Sequence, residues 1–254
     1  MSGRPSHVIS ILRGIRTLLR NAGIEANRYN IHTSAGAQLN RLLEYFCIDL
    51  VLDVGANRGQ YAAELRSHGY AGRIVSFEPL AAAHASLTHA ARGSACWIVA
   101  PRMALGDAEG EIEIHVAGNS LSSSILDMLP AHERAAPGSA YVASETVPLK
   151  RLDGVADKFL MGSSRALLKI DTQGYEDRVL TGATRLLDRV TAIQTELSLV
   201  PLYAGQLLFD EMRERIEALG FVLFAIFPGY VDEKTGRTLQ LDGFFLHREL
   251  AQDA

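Results

Sequence analysis

The stretch Val51–Tyr61, VLDVGANRGQY, ends an apolar run on one acid, Asp53, and follows it with a turn carrying Gly55, Asn57 and Gly59. Glycine in such a turn removes the β-carbon and lets a ligand approach the backbone. A carboxylate two residues ahead of the first glycine can receive an ammonium group, directly or through water. Glu78 in SFEP ends a second apolar run, where a carboxylate accepts hydrogen bonds from both hydroxyls of a ribose. In ALGDAEG, Asp107 follows a third run, within reach of the exocyclic amine of a base. Ammonium, ribose and purine together describe one ligand. The spacing G-x-x-x-G lacks the third glycine of the dinucleotide fingerprint, and no P-loop sequence occurs, so phosphate is not the expected guest. Any one of these acids also reads as a strand end or a helix cap; the ligand reading rests on their combination.

These residues need a sheet to hold them. Strands are expected at 48–54 and 73–79 and in CWIVAPRMAL, with helices at about 58–68 and 80–92 between them. That alternation predicts a parallel sheet with crossover helices on both faces. GEIEIHVA alternates with period two and predicts a half-exposed strand; Gly118 to Ser144 is polar and without period, and ETVPLKRL reads as a short strand that can pair back with GEIEIHVA. The rhythm returns in ALLKIDTQGYEDRVLTGA, in VTAIQTELSL and in a helix at about 208–219. FVLFAIFPGY and LQLDGFFLHRE, joined by the turn-rich VDEKTGRT, predict an antiparallel hairpin. Residues up to about 45 form a helical prelude. Its first helix puts Val8, Ile11, Leu12, Ile15, Leu18 and Leu19 on one face, with Arg13, Arg16 and Arg20 elsewhere. Such a stripe ordinarily packs on the domain that follows, and a membrane-surface helix is the alternative. The second helix begins near Ser34, a capping residue.

VLDVGANRGQY, SFEP, MALGDAEG and LLKIDTQGYEDRVLTGA, in this order, resemble the S-adenosyl-L-methionine-dependent methyltransferases of the FkbM family over roughly Cys47 to His247. The resemblance implies an α/β class I methyltransferase fold: a Rossmann-like, doubly wound seven-stranded sheet with an antiparallel C-terminal strand. Residues 1–45 would be an N-terminal helical extension and residues 46–254 the methyltransferase domain. It implies S-adenosyl-L-methionine as cofactor, with Asp53, Gly55, Asn57 and Gly59 on its methionine and loop side, Glu78 on its ribose and Asp107 near its adenine. Family members modify hydroxyls on natural products and glycosyl groups, so the implied activity is O-methylation of a sugar, glycolipid or glycosylated natural product. The sequence departs from many relatives at Thr172–Gly174, where TQG replaces a valine and a glutamate, so Gln173 cannot serve as an acid.

Methyl transfer from a sulfonium is an in-line displacement that needs positioning first and a proton acceptor for the hydroxyl second. Asp171 of LLKID and Glu196 of AIQTE end two further strands and are the candidate base and acceptor-orienting acid; DTQGYE, with Glu176, reads equally as a helix cap. Lys169 points inward if alternation holds and needs a carboxylate partner, with Glu196 or Glu176 expected; it is counted with the acceptor-binding residues. Asp171, Glu196 and Asp242 of LDGFF could converge on a hard cation such as Mg2+, whereas no His/Cys spacing suits zinc. His115 and His132 are further candidate bases. Asn119, Ser122, Ser123 and Ser124 offer the donors and acceptors of a polyhydroxylated ligand, and Tyr29 and Tyr203 flat surfaces for a sugar face.

At 254 residues, 48% apolar, the chain can bury a large core, and a formal charge of −4 gives no basic field to steer it onto nucleic acid. Cys47 and Cys96 read as buried thiols in a reducing cytoplasm. No transmembrane run or secretory signal is present, so a cytoplasmic protein is expected, with the N-terminal helices left for homodimerisation or peripheral membrane contact. Two other functional readings share the same strand and turn: an NAD-dependent oxidoreductase, disfavoured by the missing glycine and by Asp53, and a cofactor-binding scaffold without turnover.

Overall fold

A computed structural model describes residues 6–160 and 165–252. Among them the strands, in chain order, are β1 (Leu50–Val54), β2 (Arg73–Phe77), β3 (Trp97–Val99), β4 (Ala104–Leu105), β5 (Gly110–Ala117), β6 (Tyr141–Lys150), β7 (Ala166–Ile170), β8 (Val190–Ser198), β9 (Phe221–Pro228) and β10 (Gln240–His247). Seven of them form one sheet in the order β3-β2-β1-β7-β8-β10-β9; β4, β6 and β5 form a smaller one. β1 pairs in parallel with β2 on one side and β7 on the other, and all five of its residues are buried, as a strand covered on both faces requires. β10 runs antiparallel to both β8 and β9, giving the expected C-terminal hairpin. Helices Gln60–Ser67 and Ala81–Ala90 return the chain from β1 to β2 and from β2 to β3. This is the class I, doubly wound Rossmann-like arrangement.

The strand order reverses at β1, whose carboxyl end faces a crevice between loops that leave in opposite directions. Side-chain alternation divides the core. Leu50, Leu52, Val54, Val75 and Leu168 pack on one face of the sheet; Val51, Ile74, Leu167, Ala192 and Phe244 pack on the other, with helices Ala35–Tyr45 and Gln60–Ser67. Asp53 and Lys169 follow Val51 and Leu167 by two and share their face.

Ser34 caps its helix as expected, its hydroxyl accepting from Ala37 N at 3.2 Å. The insert is less featureless than its composition suggests. It holds a short helix, Pro130–Ala135, and the start of β6, which pairs antiparallel with β5 along eight register positions. Two expectations are overturned. Cys47 and Cys96 are exposed, because both fall in turns at strand entrances rather than within the apolar runs beside them. In the helix Ser6–Asn21, the part of the stripe that is described does not pack fully on the domain: Ile15 and Leu18 are exposed and Leu19 is half-buried, while the side chains of Val8, Ile11, Leu12 and Arg13 lie outside what is described. Among the described residues no helix is long and apolar enough to cross a membrane.

Candidate active site

The crevice at the end of β1 is a cleft of about 680 Å³, counted to its open mouth. Gly55 forms its floor with φ +80°, and a β-carbon there would stand 1.8 Å from the Asp171 carbonyl oxygen. The β1 and β7 loops touch at this point, Asp171 N donating to Val54 O at 3.0 Å, so only glycine fits. Asn57, Ser120 and Gln173 adopt the left-handed region without being glycine, at φ +46°, +58° and +56°, and all three line the cleft. Backbone held in this conformation concentrates where a binding site over-determines it.

Glu78 stands on the wall just past β2. Its Oε2 accepts from Asn57 N and its Oε1 from Leu80 N, each at 2.8 Å, which fixes the carboxyl beside the turn. Burial pushes its pKa up to about 7 against the pull of those two backbone donors. Asn57 Oδ1 is buried without a partner. Met103, Leu105, Ile114 and Ile125 supply an apolar slot next to Glu78. Residues 120–125 roof the cleft. Asn57 Nδ2 donates to Ser120 O at 3.1 Å on one side, and Ser124 Oγ to Gln173 O at 2.7 Å on the other. A carboxylate at a strand end, an unpaired amide oxygen and a flat apolar slot fit a ligand carrying a ribose, polar hydrogens and a base.

Three residues expected on the ligand are not part of the cleft wall. Asp53 is fully buried beneath the turn, accepting from Ser76 Oγ at 3.2 Å and standing 3.3 Å from Lys169 Nζ. Asp107 pairs with Arg178 at 2.9 Å, drawn off by the helix Glu176–Thr181. Gly59 faces Trp97, whose ring a β-carbon would meet at 2.8 Å, so its glycine serves packing.

Beyond Asp171 the sheet edge carries a row of acids. Glu196 lies directly opposite Asp242 in the β8–β10 register. Gln173 Nε2 donates to Asp171 Oδ1 at 2.8 Å and to Glu196 Oε2 at 2.9 Å, while its Oε1 accepts from the buried Tyr203 hydroxyl at 2.8 Å. Gln240 Nε2 adds a further donor to Glu196 at 3.2 Å. Burial, then Asp171, Glu176 and Asp242, push Glu196 well above the usual carboxylate range. Burial and Asp171 raise Asp242 to about 6.

Lys169 pairs with neither expected acid but with Asp53 and with Asp171, the latter at 3.2 Å, and its ammonium lies 5.1 Å from the centre of the Tyr61 ring. Burial opposes its charge, but Asp171 and Asp53 outweigh it and hold the pKa above the ordinary lysine value. Glu176 instead closes its own turn, accepting from Thr172 N at 2.8 Å and Gly174 N at 3.2 Å; Asp171 does not cap the helix that follows, whose N-cap is Tyr175 without a side-chain bond. The expected Mg2+ site is not formed. Among the described residues no three His, Cys, Asp or Glu side chains converge to hold a metal ion. Lysine and glutamine nitrogens take up both oxygens of Asp171 and the Oε2 of Glu196.

The serine-rich segment spends its hydroxyls on its own fold. Ser122 Oγ accepts from Asn119 Nδ2 at 3.0 Å and meets His132 Nε2 at 2.9 Å; Ser123 Oγ donates to Ser120 O at 3.0 Å. His132 is buried, with its pKa lowered by that burial, and so is no solvent-fed base. His115 stacks on Tyr141 at 4.8 Å. Tyr29 is 59% exposed, bonds His68 and lines a separate shallow depression, so it does not reach the cleft. Gln173 and Tyr203 are the organising residues that sequence reasoning leaves without this role; Tyr203 has only its aromatic character to mark it, and a left-handed glutamine has no sequence signature.

The family model described as Methyltransferase FkbM domain matches residues 53–223, more than half of the chain. No curated protein sequence matches. Among solved structures, Aeropyrum pernix fibrillarin with natively bound S-adenosyl-L-methionine is 10% identical, over 85% of this chain and 76% of that one, with a TM-score of 0.47. The Burkholderia thailandensis 1,6-didemethyltoxoflavin-N1-methyltransferase, with bound 1,6-didemethyltoxoflavin and S-adenosylhomocysteine, is 12% identical over 97% and 92%, with a TM-score of 0.45. An S-adenosylmethionine-dependent methyltransferase from Mesorhizobium loti is 9% identical over 85% and 100%, also at 0.45. All three scores fall below 0.5, so kinship rests on the sequence match alone.

Proposed function

The chain belongs to the FkbM methyltransferase family, and we propose that it is an S-adenosyl-L-methionine-dependent O-methyltransferase acting on a hydroxyl of a sugar, glycolipid or glycosylated natural product. The observation that carries this reading is the buried Glu78 carboxyl held on the cleft wall, with Asp171 lining the same cleft and joined through Gln173 to Glu196.

When bound, S-adenosyl-L-methionine supplies an electrophilic methyl group on a sulfonium. Glu78 would hold the ribose hydroxyls, Gly55 and Asn57 the loop side, and the apolar slot the base. Asp107 and Asp53 act through others: Asp107 ties the adjoining loop to Arg178, and Asp53 anchors Lys169. The two acids of the acceptor side are not equivalent. Among the described residues Glu196 touches no cation, and burial with Asp171, Glu176 and Asp242 raises its pKa; Asp171 touches the Lys169 ammonium. Carboxyls whose environments differ in this way take different roles. Asp171 is the residue assigned to accept the hydroxyl proton, and Glu196 to orient the acceptor. Gln173, bonded to both, fixes their separation.

Calorimetric titration with S-adenosyl-L-methionine tests the cofactor half: the parent binds and Glu78→Ala binds at least tenfold more weakly. Absence of binding, or a variant equal to the parent, overturns it. A screen of glycolipids and free sugars with labelled methyl donor tests the acceptor half, with Asp171→Asn lowering kcat by about 10²-fold or more. Labelling of amine or thiol acceptors alone would refute the O-methylation assignment.

A further inference from the structure

We propose that the N-terminal segment docks this protein onto an anionic membrane surface. The helix Ser6–Asn21 carries Arg13, Arg16 and Arg20 and no acid. With Arg4, the first 24 residues hold only basic charge, in a chain whose net charge is −4. The segment is thus opposite in sign to the protein it leads. Among the described side chains, Leu18 is 71% exposed and Ile15 48%, and the stretch that follows adds Ile24 at 54% and Ile31 at 46%. Positions 15 and 18 lie one helical turn apart on the same side. Ile24 belongs to the same unit, because its N–H returns to Leu19 O at 2.8 Å and Arg16 grips Ala26 O and Asn27 Oδ1 at 2.9 Å each.

An exposed apolar patch rimmed by charge marks an interaction surface. Two occupants would cover this one. Arg20 pairs with Glu25 at 2.9 Å, yet the segment keeps a net positive charge, so a second copy would bring two net basic surfaces together, with like charge flanking the apolar seam. An anionic bilayer instead takes the isoleucine and leucine side chains into its acyl boundary and leaves the segment's net positive charge at the level of the lipid phosphates. Charge complementarity selects the bilayer. This proposal is independent of the cleft and of the acceptor.

The full chain, mixed with vesicles of phosphatidylcholine alone or of phosphatidylcholine with phosphatidylglycerol, is floated through a density gradient. It should rise with the anionic vesicles, stay behind with the neutral ones, and lose binding as salt is raised. Ile15→Asp with Leu18→Asp should abolish flotation. Both side chains are exposed, so an unchanged thermal midpoint checks that the fold persists. Arg13→Gln should weaken binding about fivefold. The proposal is overturned by equal binding to both vesicles, by no binding, or by a double variant that still floats. It is equally overturned by a dimer that this variant dissociates while neither protein binds lipid.

Discussion

Replacing Lys169 by methionine keeps most of the side chain's volume and removes only its ammonium, so it isolates what that charge does. In the parent, Nζ lies 3.3 Å from Asp53 and 3.2 Å from Asp171. At an effective dielectric near 20, unit charges 3.3 Å apart attract by about 5 kcal/mol. The Asp171 contact counts for less, because its side chain is 33% exposed and screened. Asp53 has no such relief: it is fully buried and, without Lys169, keeps only the Ser76 hydroxyl. Stranding one partner of a buried pair costs about 3–5 kcal/mol, which lowers Tm by roughly 6–20 °C. The cost should depend on pH with a definite sign. Burial already raises the Asp53 pKa, with Lys169 pulling it back, so the variant raises it further. An acid whose folded pKa exceeds its unfolded value, about 3.9, binds more protons when folded. Its folded state therefore loses stability as pH rises through the interval between the two values. Urea unfolding from pH 5 to pH 8 should show the gap between parent and Lys169→Met widening with pH. Lys169→Met combined with Asp53→Asn should recover most of the loss. A cost under about 1 kcal/mol, a gap that ignores pH, or a double variant no better than the single one refutes the argument.

Gly55→Ala should abolish ligand binding and destabilise the fold by more than about 3 kcal/mol, since the new methyl overlaps the Asp171 carbonyl in a left-handed backbone; soluble protein with parental unfolding would contradict this. Glu78 is half neutral near pH 7, and ribose hydroxyls favour its ionised form, so cofactor affinity by calorimetry should fall about tenfold between pH 8 and pH 6. Glu78→Gln should flatten that dependence, and an unaltered slope would remove Glu78 from the site. Ser124→Ala frees the Gln173 carbonyl and one edge of the roof, with a stability loss of about 1–2 kcal/mol and faster cofactor release in stopped-flow chase; an unchanged release rate would show that the roof is held elsewhere.

The features legible in the sequence are those that local pattern decides. β1, its glycine turn, Glu78 and the strand end at Asp171 follow from apolar runs and their terminators, and the closing hairpin from two runs around a turn; Glu196, expected to end its strand, lies inside β8, which continues to Ser198 in its pairing with β10. That Lys169 points inward follows from alternation. Its partner does not, because the partner is set by register: Asp53 and Lys169 are direct neighbours across the β1–β7 pair, more than a hundred positions apart in sequence. Asp107 illustrates the converse. It stands where its motif places it after β4, yet Arg178, on a helix from a distant region of the chain, decides where its carboxylate goes. β4, at two residues, is too short to carry a period, and the roof is built from side-chain to backbone bonds that leave no periodic trace. The amphipathic stripe of the first helix is plain, but periodicity says only that a face wants burial, not what buries it.

The glycine-turn motif offers Asp53 as a hand for the ligand's ammonium, and its burial gives it a different task. It lies one layer below the cleft, so whatever it contributes must pass through Lys169 to Asp171. Asp53 on β1 and Asp171 just beyond β7 share one ammonium, which couples the floor of the cofactor cleft to the proposed proton acceptor. The same lysine makes Asp171 and Glu196 unequal, because Asp171 has a cation in contact and, among the described residues, Glu196 has only amide donors. Two similar carboxyls side by side would otherwise share a proton and offer no defined base. An acid before a glycine turn thus acts on the proposed acceptor side without touching it, by holding the ammonium that Asp171 shares and Glu196 lacks.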